Sequence, residues 1–326
     1  MAFSNPDSVD GVGAMNTEYR SDLERVACIT VSFNPDIELL RRQFAVLPAD
    51  CPKVLVDNAS ERNLLSSVRE VVNSTPNCHM ICNPQNLGLA AAINSGVKFA
   101  SRSFQQADFA LLLDQDTEPR RGSIEALVEA FDSLRARGEQ VGCVGPTLID
   151  TATGLTHGFH QQTRWRWKRV YPDTNSRDPV KCANINGSGT LVPLRLFNGL
   201  GGLDETLFID HVDTDWSFRV LAAGFGLYGI PSSVFEHRMG AASKRLWLFR
   251  WYVLPARSPR RHYFLFRNAV MLMRRSYVPR VWKIWAVAKL SLTFVGHALF
   301  DPSRCEQARQ MGKGVRDGLR TRAVKI

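Results

Sequence analysis

The sequence predicts an α/β protein built around a doubly wound, mostly parallel sheet. Two observations support this fold class. Four short apolar runs near the start of the chain alternate with segments whose apolar residues recur at helical spacing. Each apolar run then stops at a polar or turn-forming residue, as buried strands do. With 326 residues, 44% of them apolar, the chain is long enough to bury a sizeable core.

The alternation of strands and helices begins at Arg25. The predicted strands cover residues 26–32, 53–56, 79–82 and 109–113, and the predicted helices between them cover residues 37–47, 64–72 and 89–101. The third helix is rich in alanine, which suits close packing on a sheet. Ligands of such sheets bind beyond the carboxyl ends of the strands, so we expect the functional residues there.

The remaining segments of the chain differ from this part in composition and in predicted secondary structure. Residues 1–24 are polar, lack the hydrophobic run of a signal peptide and are expected to be disordered. Residues 141–240 are predicted to be mixed, with strands at 141–144, 190–192 and 226–230 and a helix near 213–222. From about residue 241 the sequence is aromatic, basic and predicted to be helical.

Composition and charge exclude several classes of protein. Seven scattered cysteines without a CxxC pair are too few for a disulfide scaffold and favour a reducing compartment. No stretch of about 18 residues is free of charge, which excludes a multi-span membrane protein. Residues 241–326 carry 19 Lys and Arg against 3 Asp and Glu, so the overall charge of +10 combines a net −6 body with a net +16 tail. Such a tail favours an anionic partner, with a solvated basic face as the alternative.

Polar side chains follow the predicted strands at the points where the strands end. Asp114 and Asp116 leave a buried strand two residues apart, a spacing that can bind a hard divalent cation able to bridge a diphosphate. The alternative for such an Asp is a cap on the next helix. Asp57 ends another strand, where it either grips a base or ribose or forms a turn.

The segment from Asn86 to Gly96 predicts a loop that opens a helix. Gly88 would let the backbone approach a ligand, and the helix N-terminus favours anions, although Asn86 is also an ordinary cap. The segment lacks two of the three glycines of a dinucleotide-binding GxGxxG, which argues against an NAD-dependent enzyme.

The densest acidic segment runs from Gly201 to Arg219. Four Asp fall within 12 residues, from Asp204 to Asp215, and the last of them lie at the predicted start of a helix whose dipole stabilises acidic groups. That is more acid than a cap needs, and a partly buried carboxylate could act as a general base toward a hydroxyl. His237 follows a strand-like run and is either structural or a metal ligand.

Taken together, these segments resemble the inverting nucleotide-sugar glycosyltransferases of family 2, over roughly residues 25–275. The matching motifs occur in the order found in that family: 29–35 (ITVSFNP), 56–60 (VDNAS), 86–90 (NLGLA), 114–116 (DQD), 201–205 (GGLDE) and the later acidic cluster. The resemblance implies a Rossmann-like GT-A catalytic domain at about 25–240, with a nucleotide-binding half to about residue 120 and an acceptor half from 121, followed by a helical basic tail at 241–326.

The resemblance also implies roles for individual residues. Asp213 matches the catalytic base, although the family often has Glu before the base where this chain has Val212, so Asp215 stays open as an alternative. Asp116, Asp114 and His237 are expected to hold Mg²⁺ or Mn²⁺. The remaining expected contacts are with the nucleotide (Ser32, Phe33, Asn34, Asp57, Asn86, Gly88 and Asp114) and with the donor sugar or acceptor (Gly187, Ser188, Gly189 and Trp216).

A narrower similarity is to bacterial rhamnosyltransferases. It is carried by residues 112–117 (LLDQDT), 186–190 (NGSGT), 207–219 (LFIDHVDTDWSFR), 236–240 (EHRMG) and 262–268 (HYFLFRN). It implies transfer of L-rhamnose from dTDP-L-rhamnose to lipopolysaccharide, another cell-surface glycan or rhamnolipid. Another sugar nucleotide is the alternative donor.

The tail predicts where such an enzyme would sit. Residues 281–300 place Val281, Ile284, Trp285 and further apolar residues in one stripe at helical spacing, with arginines before it. That pattern fits a helix lying on an anionic membrane or packed on the catalytic domain. We expect a peripheral enzyme on the cytoplasmic face of the plasma membrane with a glycan or lipid-linked acceptor. A nucleic-acid-binding module is the weaker reading, because the strand-end acids would repel phosphates in the absence of a metal.

Overall fold

The alternating strands and helices predicted at the start of the chain are present in the computed structural model, which describes residues 22–238, 243–247, 251–255 and 257–321. In chain order these elements are β1 (Val26–Ser32), α1 (Ile37–Val46), β2 (Lys53–Asp57), α2 (Arg62–Asn73), β3 (Cys78–Cys82), α3 (Leu89–Ser103) and β4 (Phe109–Asp114). Each lies within two residues of its predicted bounds. The predicted α/β class is therefore confirmed.

The four strands form the parallel half of one large sheet, in the order β4-β1-β2-β3. β1 is buried along its whole length between β2 and β4, which explains its uninterrupted apolar sequence. The alanines of α3 pack closely on this sheet. A Cβ added to Gly96 of α3 would lie 2.5 Å from Cγ2 of Ile29 in β1, so only a small residue fits there.

The second half of the chain extends the same sheet with mixed strand directions. Its elements are β5 (Thr117–Pro119), α4 (Ser123–Ala136), β6 (Val141–Asp150), β7 (Thr156–His157), β8 (Phe159–Gln162), β9 (Trp167–Val170), β10 (Val180–Cys182), β11 (Thr190–Pro193), α5 (Leu194–Gly199), α6 (Val212–Ala222) and β12 (Gly226–His237). β11 inserts antiparallel between β4 and β6, and β12 lies parallel to β6. β12 is longer than predicted because it continues past a register shift after Ile230.

The C-terminal segment differs from its prediction in one respect. The sequence predicts helices from about residue 241, whereas β13 (Ser243–Trp247) and β14 (Trp251–Pro255) pair as an antiparallel hairpin. The helices follow as α7 (Pro259–Met273), α8 (Arg280–Phe300) and α9 (Arg304–Arg320). Among the described residues, no helix is long and apolar enough to cross a bilayer.

The N-terminal extension also needs one correction. Residues 22–24 were expected to be disordered with the rest of 1–24, but Asp22–Arg25 forms a 3₁₀ turn. Arg25 holds this turn against the domain through Asp108 and Asp132, at 3.0 and 2.9 Å. The remainder of the expected extension lies outside the described residues.

Candidate active site

The carboxyl ends of β1, β2 and β4 open on a cavity of about 1870 Å³. This volume exceeds the roughly 300–1,000 Å³ of an ordinary small-ligand pocket. The predicted site residues on its wall are Phe33, Asn86, Gly88, Asp114, Asp116, Gly187, Ser188, Asp213, Trp216 and His237. Ten of the residues that the sequence singled out therefore line one cavity at the edge of the sheet.

Three carboxylate and imidazole groups converge at one point of this cavity. Ligand atoms of Asp114, Asp116 and His237 all lie within 4.8 Å of one another. Asp114 ends β4, whereas His237 ends β12 and pairs in register with Thr117 of β5. Thr117 Oγ1 lies 2.7 Å from His237 Nδ1, which fixes the imidazole beside the two carboxylates. Long-range strand pairing thus brings His237 to the Asp-x-Asp, from which it is about 120 residues distant in the sequence.

The electrostatics of this cluster suit a cation. Burial raises the pKa of both Asp114 and Asp116, and His237 partly offsets this by lowering them. The charge of Asp116 raises the pKa of Asp114 further. Two oxygen ligands and one imidazole form a donor set that Mg²⁺ or Mn²⁺ accepts, and a divalent ion would neutralise the carboxylates. The residues present therefore fit the expected metal.

Asp213 faces the same cavity from the first turn of α6. Its Oδ1 accepts a hydrogen bond from the backbone N–H of Thr214 at 2.8 Å, and its Cβ lies 3.6 Å from the place of a Cβ on Gly187. Burial is the main cause that raises the pKa of Asp213, and the charges of Asp210 and Asp114 add to it. A carboxylate with a raised pKa is a better base near neutral pH.

Asp215, the alternative base, occupies a different environment. Its side chain is 0% exposed and accepts a hydrogen bond from Arg219 Nε at 2.9 Å, and it also pairs with Arg275 and Tyr277. It lies outside the cavity lining. Residues two apart on a helix point in nearly opposite directions, so Asp213 faces the cavity whereas Asp215 is a buried ion-pair partner.

Four further expected contacts need revision. Asp57 is 1% exposed, and its oxygens accept hydrogen bonds from the hydroxyls of Ser32 and Ser60, so it braces the loops after β1 and β2. Neither Ser32, Asn34 nor Asp57 lines the cavity. Trp216 is 3% exposed and packs on Phe197 with ring centroids 5.0 Å apart, so it forms the back of the cavity.

The glycine turn after β10 has two functions. Gly187 and Ser188 line the cavity, whereas Gly189, with φ +81°, backs onto Pro146 and lies outside the lining. Ser188 Oγ accepts a hydrogen bond from the backbone N–H of Asp114 at 3.0 Å and lies 2.7 Å from Thr117 Oγ1. The turn therefore braces the carboxylate cluster as well as bordering the cavity.

Several cavity residues had no role assigned from the sequence. Gln115 accepts a hydrogen bond from the backbone N–H of Phe33 at 2.8 Å and so joins the loops after β1 and β4. Asp210 lines the cavity and pairs with Arg261 at 3.4 Å. Four more basic residues stand on the wall, namely Arg169, Arg238, Arg257 and Lys289. The basic composition of the tail was the only signal in the sequence for Arg257 and Lys289, whereas Arg169 and Arg238 precede the tail.

Comparison with known proteins identifies the family. Residues 37–199 match glycosyl transferase family 2. This chain belongs to that family. The glycosyltransferase is 28% identical over 260 residues to the dTDP-rhamnosyl transferase RfbF of Shigella flexneri, covering 79% of this chain and 83% of the relative. It is 24% identical over 254 residues to an N-acetylglucosaminyl-diphospho-decaprenol L-rhamnosyltransferase of Mycobacterium tuberculosis, covering 69% and 79%.

Solved structures show the same architecture. The mannosyltransferase PcManGT of Pyrobaculum calidifontis, in complex with GDP-Man and Mn²⁺, superposes with a TM-score of 0.52 at 16% identity, covering 90% of this chain and 87% of that one. GalNAc-T7 with UDP, GalNAc and Mn²⁺ gives 0.57 at 15% identity, and this chain spans only 56% of its length. The glycosyltransferase therefore has the GT-A fold that its motifs predicted, and its similarity to the rhamnosyltransferase subgroup is confirmed.

Proposed function

We propose that this glycosyltransferase transfers L-rhamnose from dTDP-L-rhamnose to a hydroxyl of a cell-surface glycan or glycolipid, with inversion at the anomeric carbon. The observation that carries the proposal is the convergence of Asp114, Asp116 and His237 with Asp213 on one cavity wall. Both relatives described above are rhamnosyltransferases by name, and one of them is named for a dTDP-linked donor.

The carboxylate cluster fits the donor diphosphate. Asp114, Asp116 and His237 would hold Mg²⁺ or Mn²⁺, and such an ion offsets the charge that develops on the departing dTDP. Phe33, Asn86 and Gly88 line the part of the cavity at the ends of β1 and β3, where we place the nucleoside. Asn58 supports this wall, since its Nδ2 donates to Asn86 Oδ1 at 3.0 Å.

Asp213 is the residue that we assign as base. A hydroxyl is a weak nucleophile, so a carboxylate must take its proton as the oxygen attacks the anomeric carbon. The bond from Thr214 N–H orients Oδ1, and we assign Oδ2 to the acceptor hydroxyl. Attack from the face opposite the departing dTDP inverts the anomeric centre without a covalent intermediate.

The wall of α8 supports a lipid-linked acceptor and a peripheral membrane position. Leu292, Val295 and Leu299 of this helix are between 45% and 62% exposed and line the cavity that holds Asp213. Ile284 and Val287 are also exposed, at 73% and 52%. Exposed apolar side chains beside a basic cluster suit the surface of an anionic bilayer.

The hairpin of β8 and β9 adds an aromatic and basic edge next to α8. Trp165 at its tip is 79% exposed beneath the guanidinium of Arg164, and the Trp167 ring lies 6.2 Å from that of Trp285 in α8. Trp beside Arg is typical of residues at the headgroup level of a membrane. We place the enzyme with this edge on the cytoplasmic face of the plasma membrane.

A donor screen tests the proposed reaction. Transfer and hydrolysis would be measured from dTDP-rhamnose and from UDP- and GDP-sugars with Mg²⁺ or Mn²⁺. A preference for dTDP-rhamnose is expected, whereas a preference for a UDP- or GDP-sugar would replace the proposed donor with the alternative. Asp213→Asn should abolish turnover while dTDP still binds, since the base contributes to chemistry and the cluster to binding.

Vesicle sedimentation tests the membrane position. The protein should pellet with anionic phospholipid vesicles at low salt, and Ile284→Glu with Val287→Glu should weaken pelleting. Leu319→Glu, on α9 and 59% exposed, is the matched control and should leave it unchanged. Protein that stays in the supernatant at low salt would refute the membrane position but leave the reaction untouched.

A further inference from the structure

The loop before α6 has an unusual backbone. We call residues 204–211 the acidic loop. Phe208, Asp210 and His211 have φ angles of 61°, 61° and 64°, a left-handed region that non-glycine residues rarely occupy. Three such residues within four positions persist only where the surroundings determine them, and backbone strain of this kind clusters at functional sites. Asp213, the assigned base, follows two residues after the loop.

One buried side chain holds most of this loop. Asn268 of α7 is 0% exposed, and its Nδ2 lies 2.6, 2.7 and 3.0 Å from the carbonyl oxygens of Leu207, Ile209 and Asp210. These carbonyls belong to the peptide groups that flank Phe208 and Asp210, two of the three residues with positive φ. An amide is suited to this position because it donates without carrying a charge.

Arg267 and Phe264 of α7 reinforce the same contact. Arg267 Nε donates to Asn268 Oδ1 at 2.9 Å, which fixes the amide so that its Nδ2 faces the loop. Its Nη2 donates to the carbonyl of Thr206 at 2.6 Å. The rings of Phe208 and Phe264 stack with centroids 4.8 Å apart. The motif at 262–268 had no role assigned from the sequence. The structure shows that this motif supplies the hydrogen bonds and the ring stacking that hold the acidic loop.

Arg275, two residues after α7, ties the two ends of the loop together. It is 4% exposed and pairs with Asp204 at the start of the loop and with Asp215 in α6 beyond its end. The loop in turn contacts the donor side of the cavity, since the Phe208 carbonyl accepts from the N–H of Leu89 at 2.6 Å. The loop therefore connects the base with the start of α3.

From these contacts we infer that Asn268 is a positioning residue for Asp213: it holds the acidic loop in its strained shape, with Arg267 as its support. The inference rests on the proposed function, since it assigns a role toward the base of that reaction. The C-terminal helix α7 is consequently part of the active-site framework. Loss of the Asn268 amide lets the loop relax, and Asp213 moves away from its place opposite Gly187.

Asn268→Leu tests the inference, because it keeps the approximate volume and removes the donors. We expect kcat to fall about 100-fold, the cost of misplacing a reacting group by about 1 Å, with little change in the KM for donor. The acid limb of the pH–rate profile should move to lower pH. Burial is the main cause that raises the pKa of Asp213, and a relaxed loop admits water. Backbone amides of Leu89 and Asp215 should exchange hydrogen faster, since both donate to loop carbonyls.

Tyr263→Phe is the matched control. It removes the 2.9 Å bond from the Tyr263 hydroxyl to Asp317 between α7 and α9 and the interaction of that hydroxyl with Arg267. The bonds of Arg267 and Asn268 to the loop carbonyls stay in place, so kcat and the pH profile should stay unchanged. Folded Asn268→Leu with the wild-type kcat and pH profile would overturn the inference. If that variant does not fold, Arg267→Lys decides by the same measurements, with a smaller loss expected. If the wild type fails to use dTDP-rhamnose, the proposed donor is wrong, and the exchange rates at Leu89 and Asp215 still test the grip on the loop.

Discussion

Replacing each of the two neighbouring aspartates of α6 by asparagine should separate catalysis from stability. Asp215 pairs with Arg219 and Arg275 in the core, and breaking a buried ion pair costs about 3–5 kcal/mol. We expect the lower end of this range of destabilisation for Asp215→Asn, because both arginines keep other partners. Arg275 keeps its pair with Asp204, and Arg219 keeps the carbonyls of Leu200 and Gly202. A loss of about 3 kcal/mol lowers the melting temperature by about 4 °C in a protein of this size, given an unfolding entropy of about 2.1 cal/mol/K per residue.

Asp213→Asn should act in the opposite way. Burial raises the pKa of Asp213, so the folded protein binds this proton more tightly than the unfolded chain does. The carboxyl group therefore contributes stability at low pH that is lost as pH rises through its folded pKa. At neutral pH the asparagine variant should be as stable as the wild type or more stable. Turnover should fall by about 10²–10⁴-fold, the usual contribution of a general base.

Both variants are measured by thermal unfolding and by transfer from dTDP-rhamnose. Asp215→Asn is expected to unfold earlier, and Asp213→Asn to retain its melting temperature while losing activity. The reasoning fails if Asp215→Asn melts with the wild type, or if Asp213→Asn keeps wild-type turnover.

Three more predictions concern the cavity. Gly88→Ala should reduce both stability and turnover, because at φ +89° the added Cβ would lie 2.7 Å from the Phe208 carbonyl oxygen. Gly122→Ala, at φ +80° with nothing within 4 Å, is the control that carries backbone strain alone. Equal losses of stability in the two variants would contradict the clash. His237→Ala should raise the metal concentration for half-maximal activity by more than the about 10–100-fold expected for Thr117→Val, which frees the imidazole and the Ser188 hydroxyl but removes no metal ligand. A metal titration of His237→Ala with no shift would remove His237 from the cluster. Wild-type turnover should decline on acidification at a higher pH than the ordinary Asp pKa of 3.8 would give, because burial raises the pKa of Asp213, and a pH–rate profile flat to pH 4 would argue against it as the base.

The strand–helix alternation was predictable because its signals are local. Apolar runs such as 109–113 become buried strands wherever they pair, and the acids that follow them must emerge at the edge of the sheet. Local sequence patterns do not predict the hairpin formed by β13 and β14. There the aromatic and basic composition is compatible with either secondary structure, and pairing between distant residues decides.

Residue order along the chain was enough to predict the fold class, the family and the Asp114–Asp116 pair, since each depends on local patterns or on motifs that occur in a set order. The tertiary structure shows how distant residues reach this pair and which contacts hold them there. His237 reaches the pair because β12 pairs with β5 about 120 residues away in sequence, and Asn268 reaches the acidic loop from a separate helix. The choice between Asp213 and Asp215 is of the same kind. Two residues apart on one helix, they face opposite sides, and only the packing of α6 shows which side is the cavity and which is the core.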